Sequence, residues 1–73
     1  MTEKRQKGVQ EQIGIRVQSI LEEKGWSQQQ LADKLGKDKG YISRIIRGEM
    51  NVTIRVIAEL EQALSAKILK IEH

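Results

Sequence analysis

The segment from residue 27 to residue 48, SQQQLADKLGKDKGYISRIIRG, constrains the fold more than any other part of the chain. It contains two short helical patterns, and each is followed by a glycine, Gly36 or Gly48, that can end a helix in the left-handed conformation. Only Lys37 separates the first glycine from Asp38, which can cap the second helix. Because this turn is so short, we expect the two helices to cross steeply rather than to form a long antiparallel hairpin.

The first of these two helices has a well-marked start and a clear apolar face. Ser27 followed by Gln30 is a capping box, in which each residue satisfies a backbone amide of the other. Leu31 and Leu35 are four residues apart and therefore share one face of the helix. Ala32 is small enough for a second helix to cross closely over it.

The second helix has two contrasting faces. When successive residues are placed about 100° apart around the axis, Ile42, Ile45 and Ile46 form one apolar stripe that should face a core. Tyr41 lies at the border of this stripe. The opposite arc holds Lys39, Gly40, Ser43, Arg44 and Arg47.

The outer arc of the second helix carries positive, polar and small side chains and no carboxylate. An ordinary solvated helix would mix charges of both signs. Lysine and arginine neutralise phosphates and reach base edges, and Gly40 allows the backbone to come close to a ligand. The pattern therefore favours a polyanion as partner, with a merely solubilising lysine-rich helix as the alternative.

Positive charge is concentrated in two regions of the chain. The net charge is +3 over 73 residues; residues 1–8 carry three cations and one acid, and residues 37–49 carry four cations and two acids. The remaining residues sum to −1. This distribution favours nucleic acid over a general acidic partner.

Length and composition indicate one small intracellular domain. The chain has no cysteine, which excludes disulfides and thiolate metal sites and suits a reducing cytoplasm. No apolar run approaches the roughly 20 residues of a membrane span, and the first residues lack the apolar segment of a signal peptide. We expect a cytoplasmic protein with no cofactor and no metal.

Two further helices flank the central pair. The first runs from about Gln10 to Lys24 and is followed by Gly25; the last begins after the cap Thr53 and ends near Leu64. The predicted core residues of these helices are Ile13, Val17, Ile20 and Leu21 in the first and Ile54, Ile57, Leu60 and Leu64 in the last. Trp26 should anchor the connection between the first two helices against this core.

The two ends of the chain lie outside this helical pattern. Residues 1–8 have no apolar period and are predicted to be a flexible basic arm. This arm either solubilises the domain or contacts the phosphates or minor groove of DNA beside the segment that the domain binds. Residues 9–64 form the predicted domain. Residues 65–73 contain several aliphatics that either extend the last helix or form a short strand; we favour a strand that pairs with a second subunit.

The central segment resembles the helix-turn-helix of the Xre or Cro/repressor family of bacterial and phage DNA-binding proteins. The pairs Ser-Gln, Leu-Ala, Leu-Gly, Ile-Ser and Arg-Gly are specific as a set, and the resemblance covers about residues 10 to 65. It implies an all-α, repressor-like domain of four or five helices whose third helix enters the major groove. The positions at which the family contacts DNA correspond here to Gln28, Lys39, Gly40, Tyr41, Ser43, Arg44, Arg47 and Asn51.

The resemblance also implies a role for each of these positions. Lys39, Gly40 and Arg44 would face the bases. Gln28 would bind a phosphate at the start of the second helix. Tyr41, Ser43, Arg47 and Asn51 would lie near the sugar-phosphate backbone. Gly40 reads no base through a side chain, so specificity should depend mainly on the two cations.

These residues lead to three hypotheses for the function. The first is a sequence-specific double-stranded-DNA-binding regulator, a dimeric repressor. The second is an antitoxin that autoregulates its operon and also binds a protein toxin, since similar tails occur in antitoxin-like members of the family. The third is an enzyme, which the sequence opposes because its single histidine is His73, it has no cysteine nucleophile, and Glu22 and Glu23 are adjacent rather than facing.

Overall fold

The computed structural model of the chain describes the backbone of residues 2–68 and the side chains of residues 8–68. This part consists of four α-helices without a strand: α1 (Thr2–Lys24), α2 (Gln28–Leu35), α3 (Lys39–Ile46) and α4 (Ile54–Leu64). The predicted all-α class is therefore confirmed. The three interhelical connections also lie where the sequence places them.

Side chains cap the starts of α2, α3 and α4. The Ser27 hydroxyl accepts from the Gln30 amide at 3.1 Å, and the Gln30 side chain accepts in return from the Ser27 amide at 2.7 Å. This is the predicted capping box. Asp38 accepts from the Tyr41 amide at 2.9 Å, and Thr53 caps α4 in the same way. These bonds satisfy amides that a helix leaves without a partner at its first turn.

Left-handed glycines end the first three helices as predicted. Gly36 has φ = 70°, and the next amide, that of Lys37, donates back to the Ala32 carbonyl at 2.8 Å. Gly25 and Gly48 adopt the same conformation after α1 and α3, with φ values of 71° and 74°. Because these reversals are tight, three short connections bring the helices into contact around one core.

Within residues 8–68 the buried core is entirely aliphatic. Helix α3 packs against both α1 and α2, and α4 packs against α2. Trp26 packs against the margin of the core, as predicted. The buried side chains are Ile13, Val17, Ile20, Leu21, Leu31, Ala32, Ile42, Ile45, Leu60, Leu64 and Ile68. Since α3 contacts two helices through its isoleucine face, its opposite face is fixed toward the outside.

Ile54 is the one residue of the predicted core that the structure places in solvent. It is 85% exposed, whereas Leu60 and Leu64 are fully buried. Ile54 is the first residue of α4 and lies about 80° from Leu64 around the helix axis, so it falls outside the stripe that faces α2. Val56 and Ala63 occupy the other margin of this stripe, where the sequence analysis did not expect core contacts.

Helix α1 begins at Thr2, about eight residues before the predicted start. Residues 2–8 are therefore helical where the sequence predicts a flexible arm. The segment contains glutamate, lysine, arginine and glutamine, which have high helix propensity, and it has no proline. An existing helix extends over such residues without a new nucleation step.

Residues 65–68 fold back onto their own domain. The buried Ile68 donates its amide to Glu61 Oε2 at 2.8 Å, and Arg16 Nε donates to the Lys67 carbonyl at 3.0 Å. The chain thus neither continues α4 nor forms a strand as far as Ile68. The rest of the predicted dimerisation strand, residues 69–73, lies outside the described residues.

Ser65 ends α4 in the left-handed region, with φ = 53°. A residue with a Cβ is strained in this conformation, and glycine is not. We expect Ser65→Gly to raise the free energy of unfolding by about 0.5–1 kcal/mol, the relief of strain being offset in part by the greater freedom of glycine in the unfolded chain. Thermal unfolding followed by circular dichroism measures the change. Ser65→Ala keeps the Cβ and should give no gain; equal stabilisation by both variants would contradict the strain argument.

Candidate nucleic-acid interface

The outer face of α3 is open to solvent. Lys39, Gly40 and Arg44 are exposed, and Arg47, the residue that caps the end of the helix, is exposed as well. None of the eight residues of α3 is acidic. The three residues expected to face the bases are therefore accessible together, and nothing else in residues 8–68 covers them.

Gln28 and Ser43 are brought together by the crossing of α2 and α3. The Ser43 hydroxyl donates to Gln28 Oε1 at 2.6 Å, and both residues are half-buried. This bond joins the first residue of α2 to the middle of the outer arc of α3. Two residues predicted separately as phosphate ligands thus form one unit beside Lys39 and Arg47.

Tyr41 lies half-buried at the border of α3, as the helical arrangement predicts. Burial, and secondarily the charge of Glu59, raises the pKa of its hydroxyl above the usual value of 10.0. The Lys37 ammonium lies 5.2 Å from the centre of the ring. At neutral pH the hydroxyl is protonated and can donate a hydrogen bond to a phosphate oxygen, and the ring lies near a cation.

The loop after α3 carries Asn51 at the exposed edge of the same surface. Its Oδ1 accepts from Gln10 Nε2 of α1. Sequence reasoning missed Gln10, because a contact between residues 41 positions apart leaves no local signal. Close by in sequence, Arg47 pairs with Glu49 at 3.3 Å; both side chains are more than half exposed, so the pair adds little stability.

Gly14 fixes how closely α1 and α3 approach each other. A Cβ on this residue would lie 2.7 Å from the Ile45 carbonyl oxygen and closer still to that of Ile46. From the sequence alone, Gly14 is expected only to weaken the first helix slightly. A lone glycine in the middle of a strongly periodic helix was the signal that could have identified a close contact.

The described residues show neither a metal centre nor a membrane span. Within this range no three His, Asp or Glu side chains are grouped so that they could hold a metal ion. None of the described helices combines the length and the apolar character needed to cross a membrane.

Comparison with known proteins places the chain in a family. A model of the helix-turn-helix family matches residues 17–71. The chain belongs to the helix-turn-helix family of the Xre and Cro/C1 type. No curated protein sequence matches the chain. Proteins of this family bind double-stranded DNA as transcription regulators and are not enzymes, in agreement with the sequence analysis.

Two crystal structures of regulators are similar to this helix-turn-helix protein. One is the restriction-modification controller protein C.AhdI from Aeromonas hydrophila, with a TM-score of 0.76, 31% identity, and coverage of 84% of this chain and 88% of that one. The other is the clp gene regulator ClgR from Corynebacterium glutamicum, with a TM-score of 0.75 and 29% identity. The match to ClgR covers 81% of this chain but 63% of ClgR.

Proposed function

We propose that the protein is a sequence-specific repressor that binds DNA as a dimer, with α3 of each subunit in the major groove. Arg44 and Lys39 contact guanines through N7 and O6, the usual partners of basic side chains at base edges. Gly40 faces the bases without a side chain. The phosphate ligands are Gln28, Tyr41, Arg47 and Asn51, with Ser43 beside them.

The exposed and wholly non-acidic outer face of α3 carries this proposal. Lys39, Gly40 and Arg44 are all exposed, whereas the inner face of the same helix packs against the core. A helix held by two neighbours on one side presents a rigid surface on the other. Such a surface can enter a groove about 12 Å wide without rearrangement of the domain.

The dimer is inferred from the geometry of helix-turn-helix recognition. Two subunits related by a two-fold axis place their recognition helices about 34 Å apart, one turn of DNA, on a palindromic site. The names of the two similar regulators, a controller protein and a gene regulator, support control of transcription. In the antitoxin alternative the tail or the outer helices would cover a toxin; Ile68 of the tail is instead buried in its own domain, so we favour the repressor.

Selection of duplexes from a random pool tests the proposal directly. We expect one palindromic motif, whose half-site spacing reports the symmetry of the dimer. Affinity for the selected duplex should fall steeply as salt rises, because binding phosphates releases counterions. Recovery of unrelated sequences, or an affinity independent of salt, would contradict sequence-specific DNA binding. Sedimentation of the free protein and of the complex reports the number of subunits.

Gly40 provides a prediction in which stability and binding change in opposite directions. A Cβ on Gly40 would meet only Asp38 Oδ1, at an ordinary contact distance of 3.6 Å. Gly40→Ala should therefore stabilise the fold by up to about 1 kcal/mol, the helix-propensity difference. It should weaken binding to the selected duplex, because the added methyl group blocks the close approach of the backbone to the bases. Thermal unfolding and a binding titration measure the two effects; unchanged affinity would remove Gly40 from the interface.

A further inference from the structure

The Ser43 hydroxyl already uses its one hydrogen-bond donor within the protein. A hydroxyl has one O–H donor, and that of Ser43 is directed to Gln28 Oε1 at 2.6 Å. A DNA phosphate offers only acceptors. As long as the bond to Gln28 is kept, Ser43 has no donor left for a phosphate. This geometry therefore does not support a direct contact between Ser43 and a phosphate.

The same hydrogen bond determines which end of the Gln28 carboxamide is presented to a ligand. A carboxamide has an acceptor oxygen and an NH₂ group with two donors. In Gln28 the oxygen is held by Ser43, and within residues 8–68 the nitrogen donates to no protein acceptor. Only the nitrogen end can bind a phosphate. Because Ser43 holds the oxygen inward, the NH₂ group of Gln28 already points outward before DNA binds.

We propose that Ser43 is a positioning residue that orients the Gln28 carboxamide to donate to a DNA phosphate, an inference that rests on the proposed function. Without the hydroxyl, the side chain of Gln28 samples other rotamers and both amide orientations. Binding DNA must then order it, and this entropic cost reduces the affinity. Ser43 thus acts on DNA only through Gln28.

The same arrangement recurs at the other end of the surface. Asn51 Oδ1 accepts from Gln10 Nε2. The oxygen of the Asn51 amide is therefore also held by the protein, and its NH₂ group takes no part in this bond. The two oriented amides come from different segments, one at the start of α2 and one after α3. In both cases a residue of a neighbouring segment restricts the amide that is the predicted phosphate ligand.

A double-mutant cycle tests the role of Ser43. The dissociation constant for the selected duplex is measured for the wild-type protein, Ser43→Ala, Gln28→Ala and the double variant. We expect each single substitution to weaken binding roughly 3- to 10-fold, the worth of about one hydrogen bond, and the double variant to bind no worse than Gln28→Ala. Ser43→Thr keeps the hydroxyl and should retain most of the affinity.

Two other outcomes overturn the inference. If the losses multiply in the double variant, Ser43 contacts DNA independently of Gln28. If Ser43→Ala binds as tightly as the wild type, Gln28 needs no positioning. Circular dichroism of each variant verifies the fold, and Ser43→Thr supplies the test should the alanine variant not fold. Arg44→Ala separates this inference from the proposed function: if it does not reduce specific binding either, the proposed interface itself is wrong and the inference is overturned with it.

Discussion

Gly14→Ala should destabilise the domain by about 2 kcal/mol or more, and so lower the midpoint of thermal unfolding by at least 8 °C. The added Cβ would lie 2.7 Å from the Ile45 carbonyl oxygen, well inside normal contact distance, and the obstacle is backbone rather than a flexible side chain. Helices α1 and α3 must then separate. The separation opens the core between Ile13, Ile42 and Ile45, and this loss outweighs the gain of about 1 kcal/mol from alanine's higher helix propensity.

Gly8→Ala is the matched control in the same helix. Gly8 also lies in α1, but a Cβ there would meet nothing within 4 Å. This variant gains the helix propensity without a clash and should be neutral or up to about 1 kcal/mol more stable. Thermal unfolding of both variants, followed by the circular dichroism of the helices, gives the comparison. Equal stability of the two variants would show that α1 and α3 do not approach each other as closely as the structure indicates.

Arg44→Ala should reduce affinity for the selected duplex by about 1–3 kcal/mol, or roughly 5- to 150-fold. Arg44 is exposed on the outer arc of α3, and arginine recognises guanine through two parallel hydrogen bonds. The preference for one base pair in each half-site should weaken together with the affinity. Stability should hardly change, because the side chain contributes nothing to the core.

Arg55→Ala provides the control for charge alone. Arg55 is an exposed cation in the first turn of α4, outside the predicted interface. Its removal should have little effect on affinity and none on base preference, although it changes the net charge by the same amount. Titrations against the selected duplex and against single-base-pair variants distinguish the two arginines. If Arg44→Ala weakened binding to all of these duplexes equally, Arg44 would be a phosphate ligand and not a base reader.

Local sequence signals predicted the helix ends and most of the core. Capping side chains act within three residues, and a left-handed glycine acts on its own turn, so Ser27, Asp38 and Gly36 could be recognised without tertiary information. The apolar period of α3 was equally local. It predicted both the buried isoleucines and the exposure of Lys39, Gly40 and Arg44 on the opposite face.

Several features that the sequence did not predict depend on tertiary packing. Ile54 has the residue type of a core position but lies just outside the face that α2 covers. Ile68 could have joined a partner strand, yet the Glu61 carboxylate binds its amide within the same domain. Gly14 and Gln10 matter because of their contacts with Ile45 and Asn51, which lie 31 and 41 positions further along the chain.

The sequence by itself determined where each described helix after α1 begins, where the first three end, and which face of α3 must remain outside. These properties depend on hydrogen bonds and side-chain spacing within one or two turns, which a single chain carries in its local order. The tertiary structure alone decided which amides are held in place and how closely α1 approaches α3. It did so because the Ser43–Gln28 and Gln10–Asn51 bonds, and the space above Gly14, exist only after helices distant in sequence have packed together.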